Sequence, residues 1–345
     1  MRKLHKKYII LSISLTFFSF LMSLAMIFII DPAGIYNKFD LGLIKDEGLY
    51  NRTQKYVELN KVKPNTLMFG SSRVHFLNYK DVQKYTQDKV YNLALGGSTL
   101  EEQYYFLKYS LETFDIKTVV IGLNLYSFSE KLKLIGGSDF DKELFTTGFT
   151  IEKQLKYLLE VPLLTYAKNY YEKDWKEALY ENGQRTAYNQ EISINNKPWS
   201  ERKKEGAYQI TYKYYLTWGD SGFNYLKKMV KLCKEHNVEV KAFTTAVNVY
   251  QLKVLKNSGK MDIYYKWKSK LAEITPYWDF MYVNSITKNS DNFIDGAHIR
   301  QEKDYMYFAR LFNDSTIDIP NDFGKYVNKN NINQHITYLK KVNEL

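Results

Sequence analysis

Tyr8 to Ile30 is a run of 23 residues without one charged side chain, and it restricts this chain more than any other stretch does. At 1.5 Å per residue it makes a helix of about 35 Å, enough to cross a hydrocarbon core of about 30 Å. It is expected to be a membrane-spanning anchor. Arg2, Lys3, Lys6 and Lys7 precede it. By the positive-inside rule, residues 1–7 are then expected in the cytoplasm, 8–30 in the membrane, and everything after Asp31 outside the cell. A cleaved signal peptide competes with this reading. The apolar run is long and no small-x-small site closes it, so an uncleaved anchor is preferred.

Residues 31–63 read as a connector that opens on the turn signal Asp31-Pro32-Ala33-Gly34 and continues with a polar helical pattern through Tyr56 and Leu59. From residue 64 short apolar runs alternate with helical periodicity. Thr66–Phe69 and Lys89–Ala94 read as strands, each followed by a helix. Lys117–Leu123 is almost continuously apolar, as a strand covered on both faces must be. After an interruption at about 127–222, the pattern resumes with a helix at Phe223–His236, a strand at Val238–Thr244 and a helix from about Met261 to Ile274. A strand at Phe280–Val283 and a helix at Glu302–Phe312 complete it. This alternation predicts an α/β doubly wound parallel sheet in an outer domain spanning 64–320. Residues 321–345 are polar and Asn-rich, and read as a surface appendage.

With 45% hydrophobic and 25% charged residues, the chain as a whole has a globular rather than a disordered composition. The net charge is +11, near +7 without the four residues ahead of the anchor. The lysines are scattered and no nucleic-acid motif occurs, so an anionic surface or polymer is a better candidate partner than nucleic acid, and a plain lysine-rich solvated surface is preferred to either. Cys233 is the only cysteine and the five histidines stand singly, which leaves neither a disulfide framework nor a metal cluster. No metal or other cofactor is expected, and the chemistry falls to ordinary side chains.

Small polar residues collect at the strand ends: Gly70-Ser71-Ser72 after the first strand, Gly96-Gly97-Ser98-Thr99 after the second, Asn124 after the third, and Asp295-Gly296-Ala297-His298 ahead of the last helix. A serine at a strand-to-helix turn sits at the carboxyl edge of the sheet with its N–H at a helix N-terminus, a natural seat for a nucleophile. Each block also has an ordinary structural use: Ser as an N-cap, Gly97 as a turn residue, Asn124 as a strand-end cap, His298 as a surface histidine. Taken in order, the four blocks resemble those of the SGNH (GDSL-like) hydrolase superfamily, which carry Ser, Gly, Asn and a closing Asp-x-x-His. The resemblance covers Thr66 to Phe312 apart from the interruption. It implies a flavodoxin-like doubly wound sheet, the SGNH hydrolase fold, carrying a helical insertion.

Position by position, the resemblance implies Ser72 as nucleophile, His298 as base and Asp295 as the carboxylate that orients it. Ser72, Gly97 and Asn124 would donate to the oxyanion. Acyl transfer requires such a set: a hydroxyl activated by a base, a carboxylate fixing the base's tautomer, and donors aimed at the developing charge. Two positions depart from the family pattern. Ser71 stands where the first block usually has Asp, and Leu125 where the third does.

The basic N-terminus, single membrane helix, Asp31-Pro32-Ala33-Gly34 and Gly70-Ser71-Ser72 further resemble two membrane-anchored groups. These are the D-alanyl transfer protein of teichoic-acid D-alanylation and the SGNH-like proteins of alginate and cellulose O-acetylation. The resemblance implies a cell-envelope polysaccharide or teichoic acid as substrate. It also implies a membrane-bound O-acyltransferase and membrane lipid as partners. The interruption is dense in aromatic residues, with Asn195-Asn196-Lys197-Pro198-Trp199 followed by Tyr208, Tyr212, Tyr214, Tyr215 and Trp218. Aromatic faces stack on sugars but also pack as core, and core is the favoured expectation. Two function classes stay open: a serine acyltransferase or esterase, and a non-catalytic scaffold that binds polymer or an acyltransferase.

Overall fold

Arg2–Ile30 form one continuous helix in the computed structural model, which describes residues 2–43, 45, 50–131, 139–161, 163–172, 180–185 and 211–344. Within that helix, His5–Ile30 is long and apolar enough to cross a membrane. Residues 1–57 and 141–176 make one unit, and 58–140 and 177–345 another.

In the first unit the chain turns at Asp31, whose φ is +46° and whose side chain is buried. Its carboxylate accepts the N–H groups of Ile35, Tyr36 and Asn37 at 2.8, 2.9 and 2.7 Å. It also accepts the Tyr157 hydroxyl at 3.1 Å. Tyr157 belongs to the helix Ile151–Glu160 and packs with Ile27, Ala33, Ile35 and Val161. The expected connector and part of the expected insertion therefore fold together. The cause is a buried carboxylate satisfied by donors more than a hundred residues apart, which local pattern does not show.

The second unit is built on a six-stranded sheet. In chain order the strands are β1 (Thr66–Phe69), β2 (Val90–Asn92), β3 (Thr118–Leu123), β6 (Glu239–Thr244), β7 (Tyr277–Asp279) and β8 (Lys325–Val327), while β4 (Tyr180–Glu181) and β5 (Gln184–Arg185) form a separate hairpin. The order across the sheet is β2-β1-β3-β6-β7-β8, parallel throughout except for the antiparallel β7–β8 pair. With the hairpin set aside, the parallel part has the flavodoxin-like order 2-1-3-4-5. Every residue of β1 and β3 is buried because both faces are covered. Met68, Val120 and Phe243 pack with Val82, Met306 and Tyr307. The helices Leu100–Thr113, Ser221–Glu235, Met261–Ile274 and Ile332–Val342 pack on one another in succession.

Two expectations are corrected here. The strand expected at Phe280–Val283 ends at Asp279 instead, because the Thr244 hydroxyl accepts the N–H groups of Phe280 (3.0 Å) and Met281 (3.2 Å) and draws the backbone off the ladder. The segment after Pro320 is not an appendage. It supplies β8 and the helix Ile332–Val342, with Val327 and Leu339 fully buried. His335 of that helix meets buried Asp279 at 2.7 Å, and Asn343 accepts the Val283 N–H at 3.0 Å.

The interruption contributes Ile151–Glu160 and Leu163–Glu172 to the first unit. Residues 195–199 and Tyr208 lie outside the described residues. Of the aromatic cluster, Tyr212 is core, stacked on Tyr126 with centroids 5.0 Å apart, and Trp218 stacks on Phe223. Tyr214 and Tyr215 are exposed.

Candidate active site

From β1 the chain runs to β2 on one side, and β3 follows on the other, so the loops after β1 and β3 part at the carboxyl edge and leave a crevice. Two glycines let the β1 loop turn into the helix Ser72–His75 there. Gly70 has φ +157°, and a Cβ on it would stand 2.4 Å from a Val74 methyl. A Cβ on Gly122 of β3 would stand 2.2 Å from the same methyl. A side chain at either place would have to displace Val74, which packs between these two glycines. The β2 loop is tied to this turn, because the Ser98 hydroxyl and the Leu95 N–H both donate to the Gly70 carbonyl, at 2.9 and 3.2 Å. The β3 loop is tied in turn by the Ser127 hydroxyl, which donates to the Ser98 carbonyl at 3.3 Å.

Asp295 and His298 share one tight turn. Asp295 Oδ1 accepts the N–H groups of Ala297 (2.7 Å) and His298 (2.9 Å), and the imidazole Nδ1 lies 2.9 and 2.8 Å from the two carboxylate oxygens. Burial works to raise the Asp295 pKa, but the His298 ring and the two N–H groups outweigh it and hold it down at about 2. An ionised carboxylate only accepts, so Nδ1 carries the proton. Nε2 is left as an acceptor, and the Ser72 hydroxyl donates to it at 2.9 Å. The Phe76 ring stands edge-on to the imidazole at 5.4 Å and helps fix its plane. The chain Ser72–His298–Asp295 is therefore continuous, with each side chain set to pass or hold a proton.

Ser72 and His298 border a cleft of about 290 Å³ that is also lined by Gly97, Thr99, Asn124 and Tyr126. The Ser72 N–H lies at the first position of its helix, where no intrahelical acceptor exists. Gly97, at φ +66°, turns the β2 loop beside it. Asn124 lines the same cleft, but its amide already donates to the hydroxyls of Ser71 (2.7 Å) and Ser127 (3.0 Å). To donate to a ligand oxygen it must exchange one of them.

Two features escaped the sequence. One is the use of Ser71, whose hydroxyl accepts the Asn124 amide and fixes its orientation. Arg73 lines the cleft while only 6% exposed. Its Nη2 donates to Gln251 at 3.3 Å, its guanidinium lies 5.6 Å from the Tyr126 ring centroid, and its Nη1 has no partner. Among the described residues no carboxylate pairs with it. Arg73 follows Ser72 directly in sequence, but nothing in a helix of four residues tells a buried guanidinium from a solvated one.

No family model matches the sequence, and no curated relative does. Among solved structures the chain is similar to a presumed acylhydrolase from Bacteroides fragilis, at 13% identity and TM-score 0.35, over 85% of this chain and 100% of that one. It is also similar to a GDSL-like lipase from Bacteroides thetaiotaomicron, at 13% identity and TM-score 0.33, over 78% and 98% of the two chains. Likeness at this level carries no argument about activity, and the α/β architecture rests on the strand order of the chain itself.

Proposed function

We propose that this chain is an SGNH-type serine acyltransferase or esterase, held in the membrane by its N-terminal helix and acting outside the cell on an envelope polysaccharide or teichoic acid. The observation that carries the proposal is the unbroken hydrogen-bonded chain from Ser72 Oγ through His298 to Asp295 at the mouth of a cleft. Ser72 Oγ attacks the acyl carbonyl while His298 Nε2 takes its proton, and Asp295 stabilises the imidazolium that forms. The oxyanion is met by the N–H groups of Ser72 and Gly97, joined by Asn124 once it releases Ser71 or Ser127. Collapse breaks the ester bond, and His298 returns the proton to the departing alcohol. Water or a polymer hydroxyl then attacks the acyl-Ser72 ester by the same route in reverse. A membrane-bound O-acyltransferase is the proposed source of the acyl group.

The Arg73 guanidinium, with no carboxylate beside it among the described residues, favours an anionic acceptor. A buried cation costs several kcal/mol without a counter-ion, and a guanidinium matches phosphate or carboxylate with two parallel donors. A phosphate-bearing teichoic acid or an acidic polysaccharide would supply one. The test is the ester or D-alanine content of the envelope polymer in cells carrying each variant. Ser72→Ala should remove the modification while the protein still reaches the membrane, and Ser71→Ala should leave most of it. Full modification with Ser72→Ala would leave the scaffold reading in its place.

A further inference from the structure

The helix Ile151–Glu160 has three faces. Gln154, Tyr157 and Leu158 turn inward, with Tyr157 buried and the Gln154 carbonyl accepting the Tyr36 hydroxyl at 3.0 Å. Glu152, Lys156 and Glu160 form a charged face, with Lys156 and Glu160 4.0 Å apart. Between these faces, Ile151, Leu155 and Leu159 recur every fourth residue within an arc of about 80°. Their exposures are 75%, 51% and 62%. On the next helix, Leu163–Glu172, Leu164 and Tyr171 are each 87% exposed as well. Singly exposed apolar residues need no explanation, but a stripe of this length flanked by a charged face does.

What covers it is indicated by where the helix is pinned. Tyr157 bonds to Asp31, the residue that follows the last residue of the apolar helix, and its hydroxyl accepts the Ala33 N–H at 3.2 Å. Tyr36, which holds Gln154, lies against Phe28 of the apolar helix with ring centroids 4.7 Å apart. If the apolar helix spans the bilayer, the helix Ile151–Glu160 is fixed at the depth where that span ends, in the zone where amphipathic helices embed one face.

Resting on the membrane-anchor reading, we propose that the helix Ile151–Glu160 is an interfacial helix whose Ile151, Leu155 and Leu159 sit among lipid acyl chains while Lys156 faces water. The occupant of the stripe is lipid, not a second protein.

The test uses the full chain with Cys233→Ala and one added cysteine at a time, Phe17→Cys, Leu155→Cys or Lys156→Cys, each carrying a polarity-sensitive bimane probe. The protein is reconstituted in phosphatidylcholine–phosphatidylglycerol vesicles with and without doxyl-labelled lipid. Expected is strong quenching at positions 17 and 155, at least twofold greater at 155 than at 156. Quenching at 17 with none in excess at 155 overturns the interfacial helix and leaves the anchor standing. A blue-shifted but unquenched probe at 155 likewise overturns it, since protein then covers the stripe. Absence of quenching at 17 overturns the anchor reading and the interfacial helix together.

Discussion

Ser72→Ala and His298→Ala should each lower kcat/KM for a chromogenic acetate ester by about 10⁴-fold or more, and the double variant should be no worse than either alone. That fall corresponds to about 5.5 kcal/mol of transition-state stabilisation. The losses should not add, because in the proposed mechanism the two side chains, joined at 2.9 Å, move one proton together. Asp295→Asn should fall by about 10⁴-fold as well, since an amide no longer dictates which imidazole nitrogen carries the proton. Asn124→Ala removes a single proposed oxyanion donor, and a loss of about 10²–10³-fold is expected. Ser71→Ala should be milder than any of these, because it removes the acceptor that holds Asn124 and leaves the proton path intact. Steady-state kinetics on the full chain in detergent measures all six variants, the double one included. Additive losses for Ser72 and His298 would mean that they do not act together.

Asp279→Asn should destabilise the protein by about 3–5 kcal/mol at neutral pH, a fall in Tm of roughly 10 °C. Asp279 and Lys268 are both completely buried and paired. The same carboxylate accepts the Thr244 hydroxyl at 2.5 Å and the Met281 N–H at 3.1 Å, and meets His335 at 2.7 Å. Removing its charge leaves the Lys268 ammonium in the core without a counter-ion and unlatches the helix Ile332–Val342. Lys268→Met in the same chain should return part of the loss, because the orphaned charge is then gone. Burial would raise the Asp279 pKa, but Lys268 and then His335 overcome it and hold it well below the usual carboxylate range. A folded-state pKa below the unfolded value of about 3.9 means that the stabilisation is complete above about pH 4 and is lost as acid titrates the folded carboxylate. The Tm gap between wild type and Asp279→Asn should therefore be widest at neutral pH and narrow as the pH drops below 4. Thermal melts at pH 7 and pH 3 check both the size and the sign.

The parts of the fold that could be read from sequence are those set by local pattern. β1 and β3 are short unbroken apolar runs because both faces are covered, and each stops at the small polar residue that opens the crevice. Asp295 and His298 are three residues apart, so one turn brings them together. The pairing of Ser72 with His298 spans 226 residues and came from motif order, since no periodicity encodes it. What escaped depends on side chains distant in sequence. The C-terminal segment reads as polar because few of its residues are apolar, yet its latch is a histidine 56 residues from its carboxylate. The connector reads as a link because its organising contact, Asp31 with Tyr157, spans 126 residues. β7 is misplaced by one strand length because a threonine hydroxyl on β6 takes the N–H groups that would have extended it. Arg73 gave no signal at all, since its burial depends on Tyr126, Tyr212 and Gln251 meeting around it.

Whether Ser72 is a nucleophile activated by His298 is read by covalent labelling of the full chain with a fluorophosphonate, followed by intact mass and peptide mapping. The phosphorus is attacked by an activated serine oxygen with loss of fluoride, so labelling reports the hydroxyl and its base without requiring the natural substrate. One adduct per chain is expected on the peptide that contains Ser72, with none in Ser72→Ala and much slower labelling in His298→Ala. An unlabelled wild-type protein, or a Ser72→Ala variant labelled as readily as wild type, would contradict that role of Ser72.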